Sequence, residues 1–343
     1  MSVEHIRLAF DRRNLLLCLV PLLIYGLFNL VLTGVQTTEI RFETLRLVPV
    51  ASENASLVAP AADTASAAGE YRIRMLWVSA FLVAVTVALA VGVNAALSVW
   101  RNTPRKDRAL MFGLALGAFA VIVVAEQALT GDRWYTNLGA GLFRDLFASP
   151  ESGTFLCRGP VSDSCSLIWQ LNTGLDAAKY SGAFALIMLS LAFISTLNRP
   201  VGSPEAEARH LAGSAREQQN LLYQGAAVYA LACLSMIAWM SWPIPYLAPD
   251  VAAEYRQVII GAVVLQGAGF TLGVAAIFLP PSILLRHRAL KMAEAETESV
   301  SSQAAWLQDF GFTGRIADRV GQVVAMLLPI AIGLFPALAE VLK

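Results

Sequence analysis

Residues 75–99 read MLWVSAFLVAVTVALAVGVNAALSV, and this stretch decides the fold. It carries no charge, and its polar side chains are isolated ones: Ser79, Thr86, Asn94 and Ser98. At about 1.5 Å per residue, a helix of this length crosses a ~30 Å hydrocarbon layer. Backbone polar groups in lipid must be satisfied within their own segment, which makes helix the state that can cross. Trp77 and Trp100 stand at its two ends, as interfacial aromatics do.

Working outward, five more stretches share this character: 14–34, 109–129, 179–197, 222–246 and 257–284. The chain as a whole agrees. Of its 343 residues, 57% are hydrophobic and 15% charged, with a mean hydropathy of +0.60. Soluble domains run near 45–50% apolar and 25% charged, so lipid must be part of this chain's solvent. The expected fold is an all-α polytopic membrane protein: a bundle of about six transmembrane helices, with a disulfide-tied outer loop and a hydrophobic C-terminal segment. The 25 basic and 25 acidic residues cancel, which gives no footprint for nucleic acid.

Arg12 and Arg13 precede the first span, as they would in a cleaved leader. The apolar run is longer than an ordinary leader core, however, and no small-x-small cleavage site follows closely. Cys18 comes too early for a lipoprotein site. A signal anchor is the expected reading.

The connecting segments alternate in charge. Segments 1–13, 100–108, 198–221 and the start of 285–319 hold Arg7, Arg12, Arg13, Arg101, Arg105, Lys106, Arg108, Arg199, Arg209, Arg216, Arg286, Arg288 and Lys291. Segments 35–74, 130–178 and 247–256 are longer in total yet hold fewer basic residues. By the positive-inside rule the first set, and with it the N-terminus, is cytoplasmic. The Ala- and Arg-rich composition has a bacterial style, which puts the chain in an inner membrane. Asn54-Ala55-Ser56 then matches a glycosylation sequon only by coincidence.

The extra-membrane segments carry their own expectations. In the outer loop 35–74, Ile40, Phe42, Leu45 and Leu47 alternate with polar neighbours, and Tyr71 and Ile73 do so after an Ala/Ser-rich insert. That pattern suggests a small β element, with a disordered loop as the alternative. In 130–178, Leu138, Leu142, Phe143, Leu146 and Phe147 share a helical face. Cys157 and Cys165 follow, both on the oxidising side, and are expected to form a disulfide. Cys18 and Cys233 fall inside spans as small buried hydrophobes. In the tail 285–319 a helix is expected from Leu290 to Trp306. Segment 320–342, with Pro329 and Pro336, is a seventh span, a re-entrant or an interfacial helix. Pro280-Pro281 is expected to end or kink the sixth span.

Few residues could carry chemistry. Glu126 and Gln127, near the outer end of the third span, are the foremost intramembrane polar candidates. The plainer reading of Glu126 is an interfacial carboxylate reaching water or Lys179. Gln266 is the deepest polar side chain, with Asn94 and Asn29 elsewhere; such amides more often hydrogen-bond between helices than bind a substrate. Gly113 and Gly117, and Gly269 and Gly273, form GxxxG pairs suited to close helix packing. Gly267 and Gly269 beside Gln266 could also mark an unwound, ligand-binding helix.

Several chemistries lack their residues. His5, His210 and His287 all lie in cytoplasmic segments, so facing intramembrane histidines for a haem are missing. HExxH, G-x-S-x-G and Walker A patterns do not occur, and Asp309-Phe310-Gly311 stands without the rest of a kinase. No metal or cofactor is expected. The leading expectation is a non-enzymatic scaffold, sensor or partner-binding component. It would meet the lipid bilayer, and a second copy or another membrane protein, through its outer loops and tail. The alternative is a small-solute or ion transporter using Glu126 and Gln266, with an intramembrane enzyme last.

Overall fold

In the computed structural model the described residues are 7–21, 23, 24, 27, 64–128, 166–201, 203–242, 244, 249–297, 300–309 and 316–341. Among the described residues seven α-helices carry the architecture: α1 (Thr64–Asn102), α2 (Arg105–Ala128), α3 (Ser166–Ser195), α4 (Pro204–Ser241), α5 (Pro249–Glu296), α6 (Val300–Asp309) and α7 (Ile316–Val341). Five of them, α1 to α5, are long and apolar enough to cross a membrane. A short 3-10 helix, Arg12–Cys18, precedes them. Residues 19–21, 23, 24 and 27 continue it in helical form, and the rest of 14–34 lies outside the described residues. The expected Cys157–Cys165 disulfide, the Leu138–Phe147 helix and the strand at Ile40–Leu47 lie outside them as well.

The helices overrun their apolar spans. The 38-residue α4 is roughly 57 Å long at 1.5 Å per residue, well past a hydrocarbon core. Its start is set locally. Ser203 caps it by accepting from Ala206 N, Pro204 sits in the first turn, and Glu205 and Glu207 face the positive helix end. Most of the segment read as the loop 198–221 is therefore the first turns of α4. Likewise α5 covers most of 247–256, passes through Pro280 and Pro281 without ending, and continues to Glu296. The tail helix expected over Leu290–Trp306 is broken instead between Glu296 and Val300, where α5 gives way to α6.

A second correction falls on Tyr71 and Ile73. They sit in α1, not in a strand. Two alternating residues are too short a pattern to compete with helix growing outward from a strong apolar run, because propagation costs far less than nucleation. The sheet that does form lies elsewhere. Arg7–Ala9 (β1) pairs antiparallel with Arg199–Val201 (β2) in the register Arg7↔Val201, Leu8↔Pro200, Ala9↔Arg199.

The main core runs along the bundle. Ala88, Ala95 and Val99 of α1 meet Ala185, Leu189 and Ala192 of α3, with Leu222 and Tyr229 of α4, Val274 and Phe278 of α5 and Ala325 of α7. Small residues let α1 and α3 approach closely: Gly92 lies directly under the Phe184 ring. A second, aromatic core joins Trp77, Trp239, Trp242 and Tyr255 at one end of the bundle. A third, of Leu197, Leu211 and Leu285 with Leu17 against it, lies at the opposite end. The outer face is apolar too: Leu116 is 71% exposed, Val121 68% and Ile283 64%. Such a surface suits lipid rather than water.

Helix α7 lies lengthwise on α5 and runs the other way. A Cβ on Gly333 would meet Val263 O at 2.8 Å, and Gly321 approaches Tyr223 of α4. Residues 320–341 are thus helix packed along the bundle rather than across its end. Through Gly267 and Gly269, α5 stays helical, not unwound.

Candidate functional site

The bundle's polar side chains gather at the end where the α1–α2 turn, the α3–β2 junction, the start of α4 and the close of α5 meet. Each arrives for a local reason. Ser195 and Thr196 donate back to Ala192 O (2.8 Å) and Phe193 O (2.6 Å), the pairing by which such residues loosen a helix. Pro200 then forbids continuation. Pro104 similarly separates α1 from α2.

Two networks stitch this end together. In the first, Ser98 Oγ donates to Glu217 Oε1 at 2.6 Å. Asn102 Nδ2 donates to Glu217 Oε2 at 2.9 Å, and Asn198 Nδ2 to Asn102 O at 2.7 Å. His210 Nε2 stands 3.0 Å from Asn198 O, which calls for the proton on that nitrogen. In the second, Gln218 Nε2 donates to Thr196 Oγ1 at 2.8 Å and Ser282 Oγ to Gln218 Oε1 at 2.9 Å. Gln218 and Thr196 are fully buried, so these bonds remove a desolvation penalty of about 1–3 kcal/mol each. Arg288 donates to Leu197 O. It sits half-buried near the like charge of Arg199, with Asp11 and Glu207 acting in its favour. Arg12 approaches Asp107 at 3.8 Å from an exposed position, a pair worth under ~1 kcal/mol.

Four buried polar atoms near this junction have no hydrogen-bond partner among the described residues: Asn14 Nδ2, Thr103 Oγ1, Asp107 Oδ2 and Asn198 Oδ1. Beside the first network a groove opens between α1 and α4. It has a volume of about 360 Å³ and is lined by Arg101, Asn102, Gly213, Arg216, Glu217 and Asn220.

The residues singled out from the sequence are described only in part, and Asn94 and Gln266, which are described, lie on separate helices. Asn94 Nδ2 donates to Gln224 Oε1 at 3.0 Å across α1 and α4. Gln266 is half-buried on α5. Glu126 and Gln127 fall in the last turns of α2, with their side chains outside the described part. A Cβ on Gly273 would lie 2.8 Å from Tyr229 Oη, while Gly269 is half-buried on the same helix. At Gly113 and Gly117 a Cβ meets no described atom within 4 Å. Cys233 is buried and Cys18 half-buried, both with free thiols. Among the described residues no three His, Cys, Asp or Glu side chains cluster as metal ligands.

Within the sequence these junction residues are ordinary polar side chains at the ends of spans or in the segments between them. One signal was available. Arg216-Glu217-Gln218-Gln219-Asn220 abuts Leu221, a polar block placed directly against a span, where its side chains must either meet water or one another.

Between α3, α4 and α5 the interior holds a void of only about 10 Å³, lined by Leu189, Phe193, Leu222, Tyr229 and Phe278 among others. That is marginal for even one water. Comparison of the chain with protein-family models, with curated proteins and with solved structures gave no match.

Proposed function

We propose that the protein is a non-enzymatic, multi-pass membrane scaffold or partner-binding component. It stands in a bacterial inner membrane with its N-terminus and polar junction in the cytoplasm, and α7 forms a further crossing. The observation that carries this reading is that the cavity found between α3, α4 and α5 is small, about 10 Å³, and lined by apolar side chains and Tyr229. A transport pathway needs polar groups converging on water at mid-depth. Here Asn94 pairs with Gln224, and the larger polar networks lie at the bundle end, where they fix helices to one another.

The extension of α4 and α5 past their apolar spans supports the same reading. Those extensions enclose the Leu197, Leu211 and Leu285 core, a rigid platform of the kind an assembly component presents. The orientation rests on the basic segments 1–13, 100–108, 198–221 and 285–291. The β1–β2 pairing, the Asn198–Asn102 bond and the Arg288–Leu197 bond tie these four into one end, as a single cytoplasmic side requires.

The test is ion and solute flux in liposomes holding the purified full-length protein, beside the variant Glu126→Gln. Flux equal to that of protein-free liposomes over a range of pH, voltage and ions is the expected result. Flux above that level, lowered by the substitution, would replace the scaffold with a transporter using Glu126 and Gln266.

A further inference from the structure

The groove between α1 and α4 has the chemistry of an anion site. Its two cationic walls come from different helices, Arg101 from α1 and Arg216 from α4. Arg101 spends its Nε on Leu97 O at 3.3 Å, which leaves its two terminal nitrogens. Arg216 forms no ion pair or hydrogen bond with another described residue. The one carboxylate in the groove, Glu217, has both oxygens taken by the neutral donors Ser98 and Asn102. Its charge is shared with those donors on α1, and among the described residues it forms no ion pair with either guanidinium. Asn220 adds a further polar side chain to the rim, and Gly213 keeps it open, since a Cβ there would meet nothing within 4 Å.

The depth of the groove selects the anion. On α1 the apolar run ends at Val99, with Trp100 between it and Arg101; on α4 it begins at Leu221, immediately after Asn220. Trp100 is 52% exposed, and the Arg108 guanidinium lies 4.3 Å from its ring centroid. An exposed tryptophan beside cations marks the headgroup level of a bilayer. The anion most abundant at that level is phosphate. Guanidinium forks match phosphate oxygens two at a time, and basic pockets between membrane helices bind phospholipid headgroups by this means.

We propose that this groove binds a phosphate group through Arg101 and Arg216, carried either by a phospholipid headgroup or by a free phosphate. The proposal does not depend on the scaffold reading, because a headgroup site is compatible with a scaffold and with a transporter alike.

The experiment uses the full-length protein in mild detergent and counts retained ligands by native mass spectrometry. The probes are phosphatidylglycerol, a galactosyl diacylglycerol lacking phosphate, and inorganic phosphate. Phosphatidylglycerol should be retained over the glycolipid. The pair Arg101→Gln and Arg216→Gln should weaken retention by about tenfold or more, the loss expected when charge-assisted hydrogen bonds go. The pair Arg105→Gln and Lys106→Gln removes the same charge nearby and should leave retention within about twofold. Displacement of the lipid by millimolar inorganic phosphate, or retention of phosphate alone, identifies the free anion as ligand. Resistance to phosphate identifies the lipid. Equal retention of the glycolipid, or equal losses from the two double variants, overturns the proposal. Melting curves accompany every variant, and Arg216→Lys serves if the glutamine pair unfolds: it keeps the charge, loses the fork, and should retain an intermediate amount.

Discussion

Gly267 and Pro329 meet backbone to backbone: a Cβ on Gly267 would lie 2.7 Å from the Pro329 carbonyl oxygen. This contact sets how near α7 comes to α5. Replacing Gly267 by Ala pushes one backbone off another, which no side-chain rotation can relieve. The expected loss is about 1–3 kcal/mol, as for overpacking in a filled core, read as a lower midpoint of unfolding in detergent and SDS mixtures. Gly333→Ala strikes the same interface at Val263. The two losses should combine to less than their sum, since either alone already separates the helices.

Gln218 of α4 joins the turn after α3 to α5 through Thr196 and Ser282. Gln218→Leu leaves buried hydroxyls with fewer partners and is expected to cost about 1–3 kcal/mol. Combined with Ser282→Ala, the cycle should show a coupling of at least ~0.5 kcal/mol. Strict additivity would mean that the bond contributes nothing measurable.

The bond between Asn94 and Gln224 is more exposed. Amide pairs between membrane helices average near 0.6 kcal/mol. Asn94→Leu is therefore expected to change stability by under about 1 kcal/mol, less than Gln218→Leu in the same assay. A larger loss, or an effect on flux, would give Asn94 a role beyond packing.

Trp77 centres the aromatic core, with ring centroids 5.4 Å from Trp242 and 5.7 Å from Trp239. Trp77→Ala removes a large buried side chain at an expected ~3–5 kcal/mol, and Trp77→Phe less. Loss of near-ultraviolet circular dichroism should accompany the first. An unchanged spectrum would detach Trp77 from that cluster.

The orientation can be read with a membrane-impermeant maleimide. Cys233 is fully buried and should label only after denaturation. Glu205→Cys places a thiol at the exposed start of α4. It is expected to label in inverted vesicles and not in intact cells. The reverse pattern would invert the topology.

How much of this could be read from residues alone differs between the bundle and its end. The stretch 75–99 falls inside α1, and 109–128 inside α2, because a long uncharged run has one way to satisfy its backbone in lipid. The ends of the helices did not follow from hydropathy. Once a span is helical, adding Arg216 or Tyr71 to it costs tenths of a kcal/mol, so capping by Ser203 and interruption by Pro104 or Pro200 decide where helix stops. Pro280 and Pro281 do not end the helix, since both are accommodated within α5. The junction was invisible for a different reason. Glu217, Gln218 and Asn198 are ordinary polar residues until four segments far apart in the chain bring them together. No periodicity within one segment encodes that meeting.

The pairing of Arg7–Ala9 with Arg199–Val201 has a consequence in time. A ribosome adding about 5–20 residues per second reaches Arg199 some 10–40 s after Ala9. Throughout that interval the first strand has no partner, while the intervening helices are already entering the bilayer. The ring of contacts at this end can close only after α3 is made, so a chain halted before β2 would hold its helices without the clasp that joins the beginning of the protein to its middle.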